Sequence, residues 1–272
     1  MRVRGLEGSE MTVAAATEHF LKVTELPGEE ISQEQLTRLC HRYYWAAQYV
    51  RDRDVLEVAC GAGAGLRYLA ERARSLKAGD FSPEVLARAQ RHVGSDSELR
   101  VFDAQQMPYP DASFDVVLIY EALYYVPSAE KFVAEAKRVL RPGGMLLISN
   151  ANRDLYDFNP SPHSTVYHGV VELRKLLEEA GFKTSFFGYL KVDQVSLRQR
   201  ILRPIKKIAV DLNLMPKTMA GKKLLKRLVF GQMVPMPDSV SDGLASYTPP
   251  DPIDAGFPDR IHKVFYCAAR MP

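Results

Sequence analysis

The chain lacks a membrane span: its longest apolar runs, such as Val116 to Ile119, fall far short of the roughly 20 residues a bilayer requires. Cysteine is scarce. Cys40, Cys60 and Cys267 are far apart and form no CxxC, which argues against a disulfide framework or a zinc cage and makes a reducing compartment the expectation. No His/Cys/Asp cluster has metal-ligand spacing, so no metal is expected. No sign of charge dominates either, since 36 basic residues against 33 acidic give a formal charge of +3. The opening MRVRGLEGSEM has no apolar h-region, so a cytoplasmic protein starting at Met1 or Met11 is expected. What the chain does have is a globular balance: 272 residues, 46% hydrophobic and 25% charged, which excludes disorder.

Hydrophobic periodicity divides the chain. Ser32 and Gln35 form a capping box ahead of a helix to Val50, with Leu36, Leu39, Tyr43, Ala47 and Val50 at helical spacing. Val55 to Ala59 reads as a buried strand, stopped by glycines 61, 63 and 65, and Leu66 to Arg74 as the next helix. A strand at 75–78 follows, and Ser82-Pro83 opens a helix. Strands at 99–102, 114–120 and 145–149 and a helix at 129–140, ended by Arg141-Pro142-Gly143-Gly144, continue the alternation. Strands alternating with helices at this spacing make a parallel, doubly wound α/β sheet. A helix at 170–180 and strands at 182–190 and 263–269 follow, with about 70 residues between those two strands that show no strand pattern. The expected domains are an N-terminal helical segment (1–51), a core (52–190 and 258–272) and a helical, basic insertion (191–257).

The sharpest signal is Glu57-Val58-Ala59-Cys60-Gly61-Ala62-Gly63-Ala64-Gly65, a strand feeding a glycine turn that opens a helix. Glycine there lets the backbone turn tightly and lets a ligand approach. The dinucleotide fingerprint GxGxxG is not met, because the third glycine falls one position early. Asp80 ends the second strand, where a carboxylate can accept hydrogen bonds from two ribose hydroxyls. Asp103 closes the third, within reach of an adenine amino group. With Glu57, these acids suit an uncharged adenosine joined to a cationic, amine-bearing tail better than a pyrophosphate.

The segments VLEVACGAGAG, AGDFSPEVLARAQ, FDAQQMPYPDASFDVVL and RVLRPGGMLLIS, over about residues 52–150, together resemble the class I S-adenosylmethionine-dependent methyltransferases, in particular the small-molecule, type 11-like branch. That resemblance implies a Rossmann-like sheet of seven strands, S-adenosyl-L-methionine as cofactor and S-adenosyl-L-homocysteine as product. It implies that Glu57, Gly61 and Gly63 frame the methionine moiety and that Asp80 holds the ribose. Phe81 would lie against adenine, Asp103 and the backbone of Ala104 would take adenine N6, and Tyr120 would face the cofactor. His41 to Ala46 resembles the HxxRYxxA stretch of some glycan-cluster methyltransferases, which implies a cofactor-carboxylate role for Arg42 or Tyr43; packing on the sheet is the competing reading, and the one favoured for Trp45.

Methyl transfer from a sulfonium needs alignment and exclusion of water, and an oxygen acceptor usually also needs a base. The candidates are Glu121, Tyr124 and Tyr125 after the fourth strand and His163 and His168 after the fifth. His163 and Tyr124 are the selected catalytic pair. His19, His92 and His262 are given no role. From Arg198 to Arg227 there are ten basic residues and one acid, leaving the other 242 residues at −6. That stretch reads as a lid with a solvated lysine face, as a site for a phosphate-bearing acceptor, or, over 198–230, as contact with an anionic membrane; with only Phe230 to stack bases, no nucleic acid is expected. The expected acceptor is a hydroxyl or amine of a small molecule, first a sugar, glycan or activated precursor, second a quinone or polyketide-like aromatic. A nicotinamide-dependent oxidoreductase and a non-catalytic adenosine-binding module are the alternatives of another class.

Overall fold

The computed structural model describes residues 2–4, 10–12, 26–93, 98–161, 163–192 and 233–272. Arg2–Arg4 (β1) pairs antiparallel with Glu10–Thr12 (β2), and Glu30–Ser32 (β3) leads into the helix Gln33–Val50 (α1). The capping box is formed: Gln35 N–H donates to Ser32 Oγ at 3.2 Å, and Ser32 N–H donates to Gln35 Oε1 at 3.0 Å. Asp54–Val58 (β4), Leu66–Ala70 (α2), Ser75–Asp80 (β5), Pro83–His92 (α3) and Glu98–Val101 (β6) follow. Phe114–Tyr120 (β7), Ala129–Val139 (α4), Leu140–Ala151 (β8), Val170–Glu179 (α5) and Lys183–Lys191 (β9) come next. Met233–Pro235 (β10), Asp251–Ile253 (β11) and His262–Arg270 (β12) complete the described elements.

The main sheet runs β11-β9-β12-β8-β7-β4-β5-β6. The pairs β6/β5, β5/β4, β4/β7 and β7/β8 are parallel, and β12 is antiparallel to both β8 and β9. One apolar cluster joins residues of α1, α2 and α3 to one face, and a second joins α4 and α5 to the other. The sheet is therefore doubly wound, and β7 is buried at every position except Asp115.

Three expectations need correction. Among the described residues the sheet has eight strands, not seven, because β11 adds antiparallel to the outer edge of β9. The helix expected at 66–74 stops at Ala70, where the backbone turns to bring Arg74 N–H to Arg53 O at 2.9 Å. The region expected to lack strands contains β10, which pairs with β3, as well as β11. Three-residue strands held by pairing to another element leave no periodic trace. The basic stretch 198–227 and His19 lie outside the described residues.

Candidate cofactor and acceptor site

In a doubly wound sheet the ligand edge is the one where parallel strands end. The ends of β4, β5, β6, β7 and β8 supply Glu57, Asp80, Asp103, Tyr120 and Asn150, and α1 crosses this edge. Two ion pairs pin it there: Arg38 Nη2 lies 3.1 Å from Glu121 Oε1, and Lys263 Nζ donates to Glu34 Oε2 at 2.7 Å.

The three glycines have different physical reasons. Gly61 donates its N–H to Asp80 Oδ2 at 3.0 Å, tying the loop to the end of β5. Gly63 adopts φ +80°, and a Cβ there would stand 2.9 Å from Ala89 Cβ of α3. A Cβ on Gly65 would sit 2.0 Å from the Tyr43 ring. At Gly63 and Gly65 the missing Cβ thus makes room for Ala89 of α3 and for the Tyr43 ring. Ala59, just before them, takes φ +55°, a left-handed conformation that is strained for a residue with a Cβ.

Tyr43 reaches past Gly65 and donates to Glu57 Oε1 at 2.7 Å. Glu57 is 2% exposed, and its Oε2 is buried with no hydrogen-bond partner. Burial pushes this carboxyl up to about 7 against the opposing pull of the Tyr43 hydrogen bond and the nearby Arg42 charge. The Tyr120 ring meets Tyr43 edge-on at 5.7 Å, and its hydroxyl is also buried without a partner. Arg42 stands 5.5 Å from the Tyr43 ring centre. Such orphaned polar atoms carry a desolvation cost until a ligand or water meets them. A carboxyl oxygen and a phenol side by side fit the amine-bearing end of the expected cofactor.

Asp80 accepts Gly61 N–H on one oxygen and Ser82 N–H on the other, at 2.9 Å, leaving lone pairs on both for a diol. Burial raises its carboxyl, opposed by those backbone N–H groups. Phe81 follows it, partly exposed. Asp103 accepts Gln105 N–H at 2.8 Å, a tight turn that also carries Ala104. Arg42, Tyr43, Glu57 and Tyr120 thus form one cluster, while Asp80, Asp103 and Ala104 stand at the next two strand ends.

Beyond β7 a second group assembles. Glu121 takes φ +51° and its N–H donates to Ser149 O at 2.8 Å. Tyr124, on a 3-10 turn over 123–125, donates its hydroxyl to Glu121 Oε2 at 3.1 Å. Its ring stacks on Tyr167 at 4.1 Å, and Tyr167 meets Phe158 edge-on at 4.7 Å. Burial raises the Tyr124 phenol well above the usual range, and the Glu121 charge adds to it. His163, at φ +67°, lies in the same loop, which is anchored where Thr165 N–H donates to Tyr124 O at 2.7 Å. The sequence reading missed Arg38; the four-residue step from Arg38 to Arg42 on α1 is the one signal that could have found it.

His41 does not join the site. It is fully buried, its Nδ1 lies 2.9 Å from the Tyr266 hydroxyl, and its Nε2 lies 2.7 Å from Thr248 O. A carbonyl can only accept, so Nε2 carries the proton and Nδ1 accepts from the tyrosine. Burial pulls the imidazole down to about 4. Trp45 is likewise core, stacked on Tyr266 at 5.0 Å.

Strand order, the antiparallel strand β12 and the strand-end acids define a class I methyltransferase fold. Residues 56–148 match the family model for the methyltransferase domain, and the chain carries a class I S-adenosylmethionine-dependent methyltransferase domain, whose cofactor is S-adenosylmethionine. It is 35% identical over 150 residues to a Mycolicibacterium smegmatis protein named "Probable S-adenosylmethionine-dependent methyltransferase", covering 54% of this chain and 55% of that one. It is 37% identical over 129 residues to phthiotriol/phenolphthiotriol dimycocerosates methyltransferase 1 of Mycobacterium ulcerans, covering 44% and 46% of the two chains. Against the fatty-acid O-methyltransferase of M. smegmatis it is 39% identical over 111 residues, 40% of each. The chain thus spans about half the length, or less, of these curated relatives. Among solved structures, a SAM-dependent methyltransferase from Archaeoglobus fulgidus superposes with TM-score 0.54 at 15% identity, covering 88% of this chain and 94% of that one. The [4+2]-cyclase SpnF shares the fold at TM-score 0.52 and 18% identity, covering 92% and 86%, so the fold alone does not fix the reaction.

Proposed function

We propose that this chain transfers the methyl group of S-adenosylmethionine to a hydroxyl of an apolar, lipid-like acceptor. The observation that carries the acceptor reading is the aromatic wall of Tyr124, Tyr167 and Phe158 next to the Glu121 carboxylate: apolar surface to seat a chain or ring beside a polar group to meet its hydroxyl. Two of the relatives are named for lipid acceptors, which supports the same direction. The glycan reading drew on residues 41–46, and the burial of His41 removes part of that motivation. The cationic stretch 198–230 suits an anionic membrane surface as partner, from which such an acceptor would be drawn.

The cofactor supplies a methyl group already activated for in-line displacement. The chain's residues do the rest. Glu57, Tyr43 and Tyr120 receive the amine-bearing end, Asp80 the ribose hydroxyls and Asp103 the adenine edge. Tyr124 stays protonated, because its phenol is raised, and so orients rather than deprotonates. The acceptor's proton falls to Glu121 or to His163 on the adjoining loop.

The cofactor part is tested by thermal shift with S-adenosylhomocysteine. Wild type should be stabilised by mass action and Asp80→Ala should lose most of the gain; stabilisation of neither would sink the reading. The acceptor part is tested by transfer of labelled methyl to long-chain fatty acids and alcohols against sugars, nucleotide sugars and quinones. A product confined to the sugars would restore the glycan reading. With a working acceptor, Glu121→Gln and His163→Ala separate the two bases: the true one should cost about 10²-fold or more in kcat, the other far less.

A further inference from the structure

The Glu57 carboxyl is wholly enclosed, with Oε1 taken by the Tyr43 hydroxyl and Oε2 facing no donor. The titratable or charged groups set against it among the described residues are Arg42 and Tyr43 from α1, Cys60 from the glycine loop and Tyr120 from β7. Burial keeps the thiol and both phenols neutral, and the cross-strand neighbour on β5 is Ala78. An ionised carboxylate with one dry oxygen would be costly to hold here. A neutral carboxyl is the cheaper state until a cation arrives.

We propose that Glu57 is a proton-exchange site: the ammonium group of the cofactor's amino-acid end docks on Oε2, and the proton held by the Glu57 carboxyl in the cofactor-free protein leaves to solvent. This rests on the cofactor reading above. The exchange makes binding pH-dependent with a definite sign. Below neutrality the empty site holds the proton and binding must expel it; in mild alkali it is already gone. Burial that lifts the carboxyl to about 7 places that window at physiological pH. The Tyr43 hydrogen bond favours the ionised form and so sets where the window falls.

Titration calorimetry of S-adenosylhomocysteine, in buffers of different ionisation enthalpy, reads the proton directly. Wild type should release close to one proton per ligand at about pH 6 and close to none at about pH 8, with affinity about tenfold weaker at the lower pH. Tyr43→Phe, which removes one hydroxyl, should shift the midpoint of release to higher pH. Binding at pH 6 without proton release overturns the proposal. So does a Tyr43→Phe midpoint that stays in place, because the proton would then belong to another group. Failure of S-adenosylhomocysteine to bind at any pH is a different result: it removes the cofactor reading itself, and this inference with it.

Discussion

At the scale of single residues, Tyr43 decides more than its place in a core helix suggests. It fills the space left by Gly65 and holds one oxygen of Glu57. Gly65→Ala should force the ring out and destabilise the protein by about 1–3 kcal/mol, measured by urea denaturation, with loss of the stabilisation by S-adenosylhomocysteine. Two buried groups also give opposite pH trends. His41 titrates near 4 in the fold, below its unfolded value, so its contribution is present above about pH 6.5 and is lost as pH falls through 4. Glu57 titrates near 7, above its unfolded value, so its contribution is full below about pH 4.5 and is lost as pH rises through 7. Between pH 5 and 6.5 the two oppose each other. Glu57→Gln should unmask the histidine: the stability advantage of wild type over the variant should shrink as pH rises from 5 to 7, by at most about 1.4 kcal/mol per pH unit. A gap that does not vary with pH would refute the assignment to Glu57.

At the scale of elements, the two ends of the sheet are built on opposite principles. The ligand edge leaves polar atoms unmet, whereas the other edge satisfies them. At the starts of β4, β5 and β7, Asp54 and Asp115 share Arg74 and Arg141: Arg141 Nη1 lies 2.8 Å from Asp54 and 2.9 Å from Asp115, and Asp115 Oδ2 accepts Asp54 N–H at 2.9 Å. The Arg74 guanidinium, above all, holds the Asp54 carboxyl far below the usual carboxylate range. Asp54→Ala should lower stability by about 2 kcal/mol at neutral pH without changing cofactor affinity, and the cost should fade as pH falls below about 4. The alternation of β4 to β8 was legible in the sequence because buried parallel strands and amphipathic helices have distinct periods, and the capping box and Ser82-Pro83 marked their starts. Glu57, Asp80 and Asp103 were legible because strand ends place acids at known spacing. Arg38 and the eighth strand were not, because each is positioned by a partner more than 60 residues away.

At the scale of the whole molecule, charge is segregated. The near-neutral total hides ten basic residues and one acid between Arg198 and Arg227. If that stretch meets lipid as proposed, cosedimentation with phosphatidylserine vesicles should be strong at low salt, fall steeply toward 0.5 M salt, and be absent with phosphatidylcholine alone; salt-independent binding would argue for an apolar contact instead. The chain returns from this region at β10, beside β3, and then crosses the glycine loop. Val240 N–H donates to Ala64 O at 2.7 Å, Tyr44 to Ser241 O, and Tyr68 and Arg72 to the Asp242 carboxylate. That one amide makes residue 240 a natural reporter. Its hydrogen exchange can occur only when the glycine loop and the crossing segment part, so exchange at Val240 should slow when S-adenosylhomocysteine binds, registering order at a cofactor loop from a residue on the opposite end of the sequence.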